Sequence, residues 1–461
     1  MTMLIAVGWI AIMLLIGVIL KGLSKFLRNM LVPASVIGGI LGLIIANTIG
    51  FWGGESGGEI ARIESSTFST IVTHLFTLSF ISIGLVGIKK GGGKGGGSTG
   101  KSIFRGTMGM GIVWVILYTL TAALGAAILL GLNGVFDFSP LYGLLVPFAF
   151  CQGPGQAATF GAIFESYGIP DAVNVGVTFA AIGFIVAFAV GVPLAKAGIR
   201  KGYAKHLTET GKAKIPVEEE GALDMPAASD EEPAEEQGAG TMEALTFSFI
   251  LIGLTYVITY FLTALIVYLV PSLGDTLWGL MFMTGMVVGY GVKAILNKTK
   301  ISRFHDTTVQ QKISNWMTDF LVAAAFMAVS VSAIKDYAIP ILLVSVAASV
   351  VTYFACVYFG HRFGDENDFE RTLGLWGTAT GTVPCGVALA RIVDPETRTT
   401  TNIELGLMNL PMFFSTPSLL IMLATAAGQI NITLAIGLLL IPIPILLILL
   451  KVFRAWGKKN Y

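Results

Sequence analysis

Long apolar runs recur along the whole chain, and each has about the length of a membrane-spanning helix. A helix needs about 20 consecutive, mainly apolar residues to cross a bilayer. Eleven runs approach or exceed this length, near residues 3–20, 31–51, 68–88, 103–132, 172–198, 243–270, 276–296, 314–334, 337–360, 402–427 and 430–451. Charged residues make up 12% of the 461 residues, whereas soluble domains carry roughly 25%. The sequence therefore predicts an all-α integral membrane protein with about eleven transmembrane helices.

Two further runs, 139–165 and 372–392, are interrupted by Gly, Pro, Thr and Gln. Backbone broken in this way does not face lipid, because it must be buried in protein or line a cavity. If both runs enter and leave the membrane on the same side, almost all Lys and Arg residues of the loops fall on one face, which is expected to be cytoplasmic. The charge pattern therefore predicts two re-entrant hairpins in a multi-pass inner-membrane protein, with the N-terminus outside and the C-terminus inside.

The two halves of the chain show the same order of predicted elements. Residues 1–198 and 243–427 each contain four helices, an interrupted hairpin and a further helix, and an odd number of spans turns the second copy upside down. The segment 199–242 between them is acidic and rich in Pro and Ala, which is typical of a cytoplasmic linker. Residues 428–461 add an extra C-terminal helix and a tail. The sequence thus predicts two inverted-topology repeats.

The interrupted hairpins are the predicted substrate site. An interrupted helix offers free N–H groups to an anion and free carbonyls to a cation, and matched segments in inverted halves point to a site at the midplane. Close packing at glycine is the alternative explanation. For Arg391, a carboxylate clamp competes with pairing to Asp394 or Glu370. The residues predicted to bind an acidic substrate are Gln152, Gly153, Gly155, Gln156, Thr378, Thr380, Gly381, Thr382 and Arg391.

A carboxylate inside a predicted span, Asp319, is the candidate sodium ligand. Intramembrane carboxylates are costly and mark ion paths or buried pairs. Asn315 and Thr318 bring further oxygen atoms nearby, and hard cations take oxygen ligands. Asn174 and Asn402 occupy equivalent places after the two hairpins and are predicted to support the ion site, although helix capping is the simplest account of them. The alternative for Asp319 is an interfacial position near the cytoplasmic surface.

Other classes of function lack support in the sequence. Gly95–Ser102 matches the phosphate-binding pattern GxxxxGK[ST], but that loop requires a preceding strand, and predicted membrane spans flank it here. We therefore expect no nucleotide partner. The net charge of +1, with basic residues confined to loops, predicts no nucleic-acid partner. Because the Cys and His residues form no ligand or catalytic cluster, no enzyme activity is expected.

Four stretches carry a family resemblance, and they are VPASVIGGILGLIIAN, LSFISIGL, GPGQAATFGAIFESYG and GTATGTVP. Together they resemble the bacterial sodium/glutamate symporter family over about residues 10–425, apart from the linker. The resemblance implies a homodimer in which each protomer has a rigid dimerisation part and a moving transport part. It also implies that the hairpins meet near the midplane and bind a small acidic substrate, with sodium (Na+) as the co-transported ion.

We therefore predict a sodium-coupled secondary active symporter for an acidic amino acid, foremost L-glutamate, that works by elevator-like alternating access. Sodium and substrate would stabilise each other's bound state by roughly 1–3 kcal/mol. A sodium-coupled carrier of another carboxylate is one alternative. A cation/proton antiporter in which Asp319 titrates, and a channel, are two others.

Overall fold

Every regular element that the structure describes is a helix. The computed structural model describes residues 2–24, 27, 33–49, 63, 65–86, 97–136, 138–205, 237–269, 277–278, 281–331, 335–364, 366–395, 398–408 and 410–461. The α-helices are α1 Thr2–Leu23, α2 Ala34–Ile49, α3 Ser65–Val86, α4 Gly97–Leu132, α5 Val146–Phe150, α6 Pro154–Ser166, α7 Ala172–Arg200, α8 Gln237–Leu269, α9 Met281–Leu296, α10 Thr307–Met327, α11 Ala338–Gly360, α12 Asp368–Thr380, α13 Val383–Val393, α14 Thr401–Leu407, α15 Thr416–Ala426, α16 Ile432–Leu440 and α17 Pro442–Val452. The short 3-10 helices are Pro140–Leu145, Lys300–Phe304, Lys335–Tyr337 and Leu410–Ser415. The predicted all-α membrane architecture is confirmed.

Seven of the described helical segments are long and apolar enough to cross a membrane, and the bent pair α14–α15 raises this number to eight. The seven are α1, α3, α4, α7, α8, α11 and the continuous stretch α16–α17. Helices α2 and α9 are apolar but 16 residues long. The predicted runs there, 31–51 and 276–296, extend into residues outside the described part of the chain.

Two predicted spans have different limits in the structure. Helix α10 begins at Thr307 rather than near residue 314, because the Asp306 carboxylate accepts hydrogen bonds from the amides of Thr308 at 2.6 Å and Val309 at 3.4 Å. The run 402–427 is not one helix but two, bent by 48°. Pro417 lies in the first turn of α15, where a missing N–H is tolerated and favours a new helix start.

The helices pack as two bundles. The scaffold bundle consists of α1, α2, α3, α8, α9 and α10, which are the first three helices of each half. The hairpin bundle consists of α4, α7, α11, α14–α17 and the two interrupted runs. Close backbone approach holds the scaffold bundle together, since a Cβ on Gly84 of α3 would lie 2.5 Å from the Met286 carbonyl of α9. The bundles meet where α6 packs on α3 and α10.

Both interrupted runs form pairs of short helices near the predicted limits. The first hairpin runs from Pro140 to Ser166, and its non-helical tip lies between α5 and α6. The second hairpin pairs α12 with α13. Its arms touch through glycine backbone, because a Cβ on Gly377 would lie 2.7 Å from Gly386 Cα. The re-entrant course and the inverted repeat stay predictions, and the linker 199–242 lies outside the described residues from 206 to 236.

Candidate functional site

The tip of the first hairpin is a tight turn that requires glycine. Gly153 has φ +86°, in the left-handed region that favours glycine, and it caps the N-terminus of α6. Its amide donates to the Ala149 carbonyl at 3.0 Å, which closes the turn after α5. Pro154 follows as the first residue of α6. The first turn of α6 therefore presents the N–H groups of Gly155 and Gln156 without carbonyl partners of their own helix.

The tip of the second hairpin lies directly against the first. Thr382 is the N-cap of α13 and has extended backbone. A Cβ added to Gly153 would lie 2.4 Å from Thr382 Cγ2 and 3.2 Å from the Gly381 carbonyl oxygen. The two tips thus meet at van der Waals distance, and the positive N-terminal ends of α6 and α13 open at the same place.

A cavity of about 240 Å³ lies between these tips and the scaffold bundle. The hairpin tips line one wall, and the scaffold helices α3 and α10 line the other. The polar residues that line it are Ser79, Gln152, Gln156, Gln311, Ser314, Asn315, Thr318, Thr378 and Thr382. The cavity extends along the second half of α3 and the first half of α10. Helix α3 ends at Val86 and helix α10 begins at Thr307. Both of these ends lie on the face that the charge pattern predicts to be cytoplasmic.

No lining residue of this cavity carries a charge, among the residues that the structure describes. Gln152 and Gln156 each have a buried side-chain oxygen without a hydrogen-bond partner in the described structure. Buried polar atoms of this kind usually have partners, so those that lack one mark a place for a ligand, an ion or water. The cavity thus offers polar oxygens and helix N-termini, and no protein charge.

One protein-family model matches most of the chain. The family model described as "Sodium/glutamate symporter" matches residues 1–395 of the 461-residue chain.

The chain belongs to the sodium/glutamate symporter family.

Searches of curated proteins and of solved structures gave no match. Family membership supports sodium-coupled glutamate transport, with sodium as the co-transported ion, by a multi-pass membrane protein. It places the chain among transporters. The predicted family resemblance is confirmed.

In this symporter, the predicted ion ligands separate into two places. Asn315 and Thr318 line the cavity, and the Thr318 hydroxyl donates to the Ser314 carbonyl at 2.9 Å. Asp319 does not line the cavity. Its carboxylate is hydrogen-bonded to the Ser35 side chain and lies near the Lys21 ammonium, so it faces α1 and α2 within the scaffold bundle.

The predicted asparagines lie at the far ends of the hairpins. Asn174 is in the first turn of α7 and its amide donates to the Asp171 carboxylate at 3.5 Å. The 13 residues of α6 separate that end from the tip, which is about 20 Å of helix. Asn402 lies in the first turn of α14, beside the base of the second hairpin, and its side-chain oxygen is buried without a partner among the described residues.

The predicted substrate residues divide in a similar way. Gln152, Gly155, Gln156, Thr378 and Thr382 line the cavity, and Gly153 and Gly381 form the contact between the tips. Two others do not line it. Thr380 is fully buried and its hydroxyl donates to the Trp376 carbonyl at 2.7 Å, while Arg391 is exposed in the last turn of α13.

Sequence reasoning missed three contributors to the site. The Trp114 indole donates to the Cys151 carbonyl at 2.9 Å and so ties the first tip to α4. Phe76 packs against Gly155, where a Cβ would lie 2.1 Å from the ring. Ser314 is buried in the cavity wall. Ser314 lies next to Asn315, but the face of α10 that it shares with Thr318 becomes visible only from the packing of the helix.

Proposed function

We propose that the cavity at the hairpin tips binds L-glutamate together with sodium, and that the protein carries both by elevator-like alternating access. The observation that supports this most directly is the absence of charge among the described lining residues. A glutamate anion in such a site needs countercharge, because an unpaired charge is costly in a low-dielectric environment. Sodium supplies that charge, and the helix N-termini of α6 and α13 supply N–H donors. Substrate and ion then stabilise one another, which is the thermodynamic requirement for coupling.

The oxygens that would hold sodium lie on both bundles. Gln152 and Gln156 contribute side-chain oxygens from the first hairpin, and Asn315 and Thr318 face them from α10. Hard cations take several oxygen ligands. An ion bound between these groups would lie where the hairpin bundle meets the scaffold bundle.

The contact between the bundles suits a sliding motion. Phe76, Phe80 and Phe282 form an aromatic cluster on the scaffold, with ring centroids 4.7 to 5.1 Å apart. Gly155 packs against that surface through Phe76. Apolar rings against a glycine backbone make no directional bond that must break when the hairpin bundle moves. In this proposal the structure is the inward-facing state, because the cavity extends toward the predicted cytoplasmic ends of α3 and α10.

The scaffold bundle is the proposed dimer contact. Its helices α1 and α8 expose apolar side chains such as Leu15, Val18, Phe261 and Leu265. Such faces suit both lipid and a second copy of the chain. Cross-linking of single cysteines placed at 15 or 265 in membranes distinguishes the two, because only a dimer interface yields a specific covalent pair.

The test is uptake of labelled L-glutamate into proteoliposomes with and without an inward sodium gradient. Accumulation above the external concentration that disappears without the gradient supports symport of an acidic amino acid. If folded protein takes up no L-glutamate, a panel of other carboxylates is tested next. Sodium-driven uptake of one of these would show that the substrate is a carboxylate other than glutamate. Proton flux without any organic substrate would contradict symport and favour the antiporter alternative.

A further inference from the structure

The base of the second hairpin holds a cluster of charged side chains that the transport proposal does not use. They lie at three neighbouring places, which are the start of α12, the end of α13 and the start of α14. None of them is more than 2% exposed. The members of this base cluster are Asp368, Glu370, Arg371, Asp394 and Glu404. The base cluster therefore holds four carboxylates and one guanidinium, and the carboxylates differ in their partners.

Arg371 is fully engaged by two of the carboxylates. Its Nε and Nη2 donate to the two oxygens of Glu404 at 2.7 and 2.6 Å, a bidentate pair. Its Nη1 donates to Asp368 Oδ1 at 3.3 Å. Nη2 also donates to the Ser102 hydroxyl at 3.0 Å. Asp368 and Glu404 are thus stabilised as anions.

Asp394 is stabilised by a different set of donors. The amides of Arg398 and Thr399 each donate to it at 2.8 Å. The Thr399 hydroxyl adds a third hydrogen bond at 2.7 Å. This carboxylate caps the segment that follows α13 and is stabilised as an anion without any contribution from Arg371.

Glu370 is the exception in the base cluster. It is fully buried, and neither carboxylate oxygen has a partner with good hydrogen-bond geometry in the described structure, although the backbone amide of Glu370 itself lies near the carboxylate and favours its ionised form. Asp394 and Asp368 lie close enough to disfavour a further negative charge, and the nearby Arg371 is already engaged. The positive end of α12 favours the ionised form, but by much less than the desolvation of an unpaired carboxylate disfavours it. The neutral acid is therefore the form that fits this environment.

The groups around Glu370 come from every element packed on the start of α12. Tyr461 of the C-terminal segment lies near it, and the Tyr461 hydroxyl is hydrogen-bonded to Thr372. Other charged or titratable groups on the elements that pack there include Arg105 on α4, Lys201 and Tyr203 just after α7, His361 at the end of α11, Glu404 on α14 and Lys459 in the tail. None of them donates a hydrogen bond to Glu370 in the described structure.

We propose that Glu370 is a proton-binding site at the base of the second hairpin, and that its protonation from the adjacent face of the membrane stabilises the hairpin conformation seen here. Proton release would place an unpaired negative charge beside Asp394 and destabilise the packing at the base of the hairpin. Raising the pH on that face, predicted to be cytoplasmic, then destabilises this conformation. The consequence for transport rests on the proposed function, whereas the proton site itself does not.

The first experiment measures thermal unfolding of the purified protein against pH, which requires no transport. A carboxyl group that is kept neutral in the folded state has a higher pKa there than in the unfolded chain. The free energy of unfolding therefore decreases as the pH rises from the unfolded pKa to the folded pKa. We expect the melting temperature of the wild type to fall as the pH rises from the ordinary glutamate range to about 7, and that of Glu370→Gln to fall less over the same range. Glu366→Gln, a matched change at an exposed carboxylate in the turn before α12, should follow the wild type. Glu370→Met, a neutral side chain of similar size, is a second variant for the case in which Glu370→Gln folds poorly. It should show the same dependence of melting temperature on pH as Glu370→Gln.

The second experiment measures sodium-driven uptake against pH on the hairpin-base side. Uptake by the wild type should fall above the pH at which Glu370 ionises, by up to about tenfold per pH unit for a single proton, and Glu370→Gln should lack this limb. The proposal is overturned if both Glu370→Gln and Glu370→Met keep the wild-type fall in stability below pH 7 and the wild-type fall in uptake above it. Absence of uptake in the wild type would contradict the proposed function alone, because the stability profiles would still decide the proton site.

Discussion

Gly153 at the tip of the first hairpin lies against Thr382 at the tip of the second, and the two residues are too close for a further atom to fit between them. A Cβ at position 153 would come within 2.4 Å of Thr382 Cγ2, and Gly153 also has φ +86°. Two independent constraints, backbone conformation and close approach, therefore demand glycine at this position. The contact closes one side of the cavity and brings two helix N-termini together.

The first prediction separates these two constraints. Gly153→Ala should strain the backbone by about 1–3 kcal/mol and also push the tips apart, so uptake should fall at least about tenfold, the equivalent of 1.4 kcal/mol. Gly168→Ala is the matched control, since Gly168 has φ +83° but no atom within 4 Å of the added Cβ. It should lose stability and keep transport. Equal loss of uptake in both variants would show that backbone strain alone matters.

A second prediction concerns the contact between the bundles at Gly155. Gly155→Ala places a Cβ 2.1 Å from the Phe76 ring, so the hairpin bundle can no longer approach the scaffold at this point. Uptake should fall by about tenfold or more, because positioning errors of about 1 Å are costly at a binding site. The double variant with Phe76→Leu should recover part of the activity.

Gly253→Ala is the control for Gly155→Ala, since Gly253 is helical and nothing lies within 4 Å of the added Cβ. It should be neutral or slightly stabilising, as Ala favours helix by about 1 kcal/mol over Gly. If Phe76→Leu gives no recovery, the contact with α3 is not what limits the Gly155 variant.

A third prediction concerns Trp114, whose indole donates to the Cys151 carbonyl. Trp114→Phe keeps most of the buried ring but leaves this tip carbonyl without its donor. A buried acceptor left unpaired costs about 1–3 kcal/mol. We expect a lower melting temperature and a raised half-saturation concentration for substrate. An unchanged half-saturation concentration would mean that the tip holds its shape without α4.

The long apolar runs of the sequence predicted the helices, and the matched Gly and Pro signals predicted both hairpins with tips at 152–156 and 378–384. These signals are local, because they follow from backbone chemistry and from the length needed to cross a bilayer. The division into two bundles was not predictable from the residues themselves. This division depends on which helices pack against one another. Close approaches such as that of Gly84 in α3 to Met286 in α9 bring together residues that are far apart in sequence.

The ion site shows the same limit at the scale of one helix. Asn315, Thr318 and Asp319 are close in sequence, but successive residues of an α-helix point about 100° apart. Thr318 therefore faces the cavity while Asp319 faces Ser35 and Lys21. Composition identified the right oxygen-rich stretch, and only packing shows which of its faces meets the hairpins.

The last prediction tests that difference directly. Thr318→Val removes one hydroxyl oxygen from the cavity wall at nearly constant volume, and we expect it to raise the sodium concentration for half-maximal uptake by about tenfold, or 1.4 kcal/mol. Asp319→Asn, one residue away, should leave that concentration within about twofold, because its carboxylate interacts with α1 and α2 instead. Sodium titration of uptake at saturating glutamate measures both. A larger shift for Asp319→Asn than for Thr318→Val would restore Asp319 as the ligand that its intramembrane position predicts, and would require α10 to turn during the transport cycle.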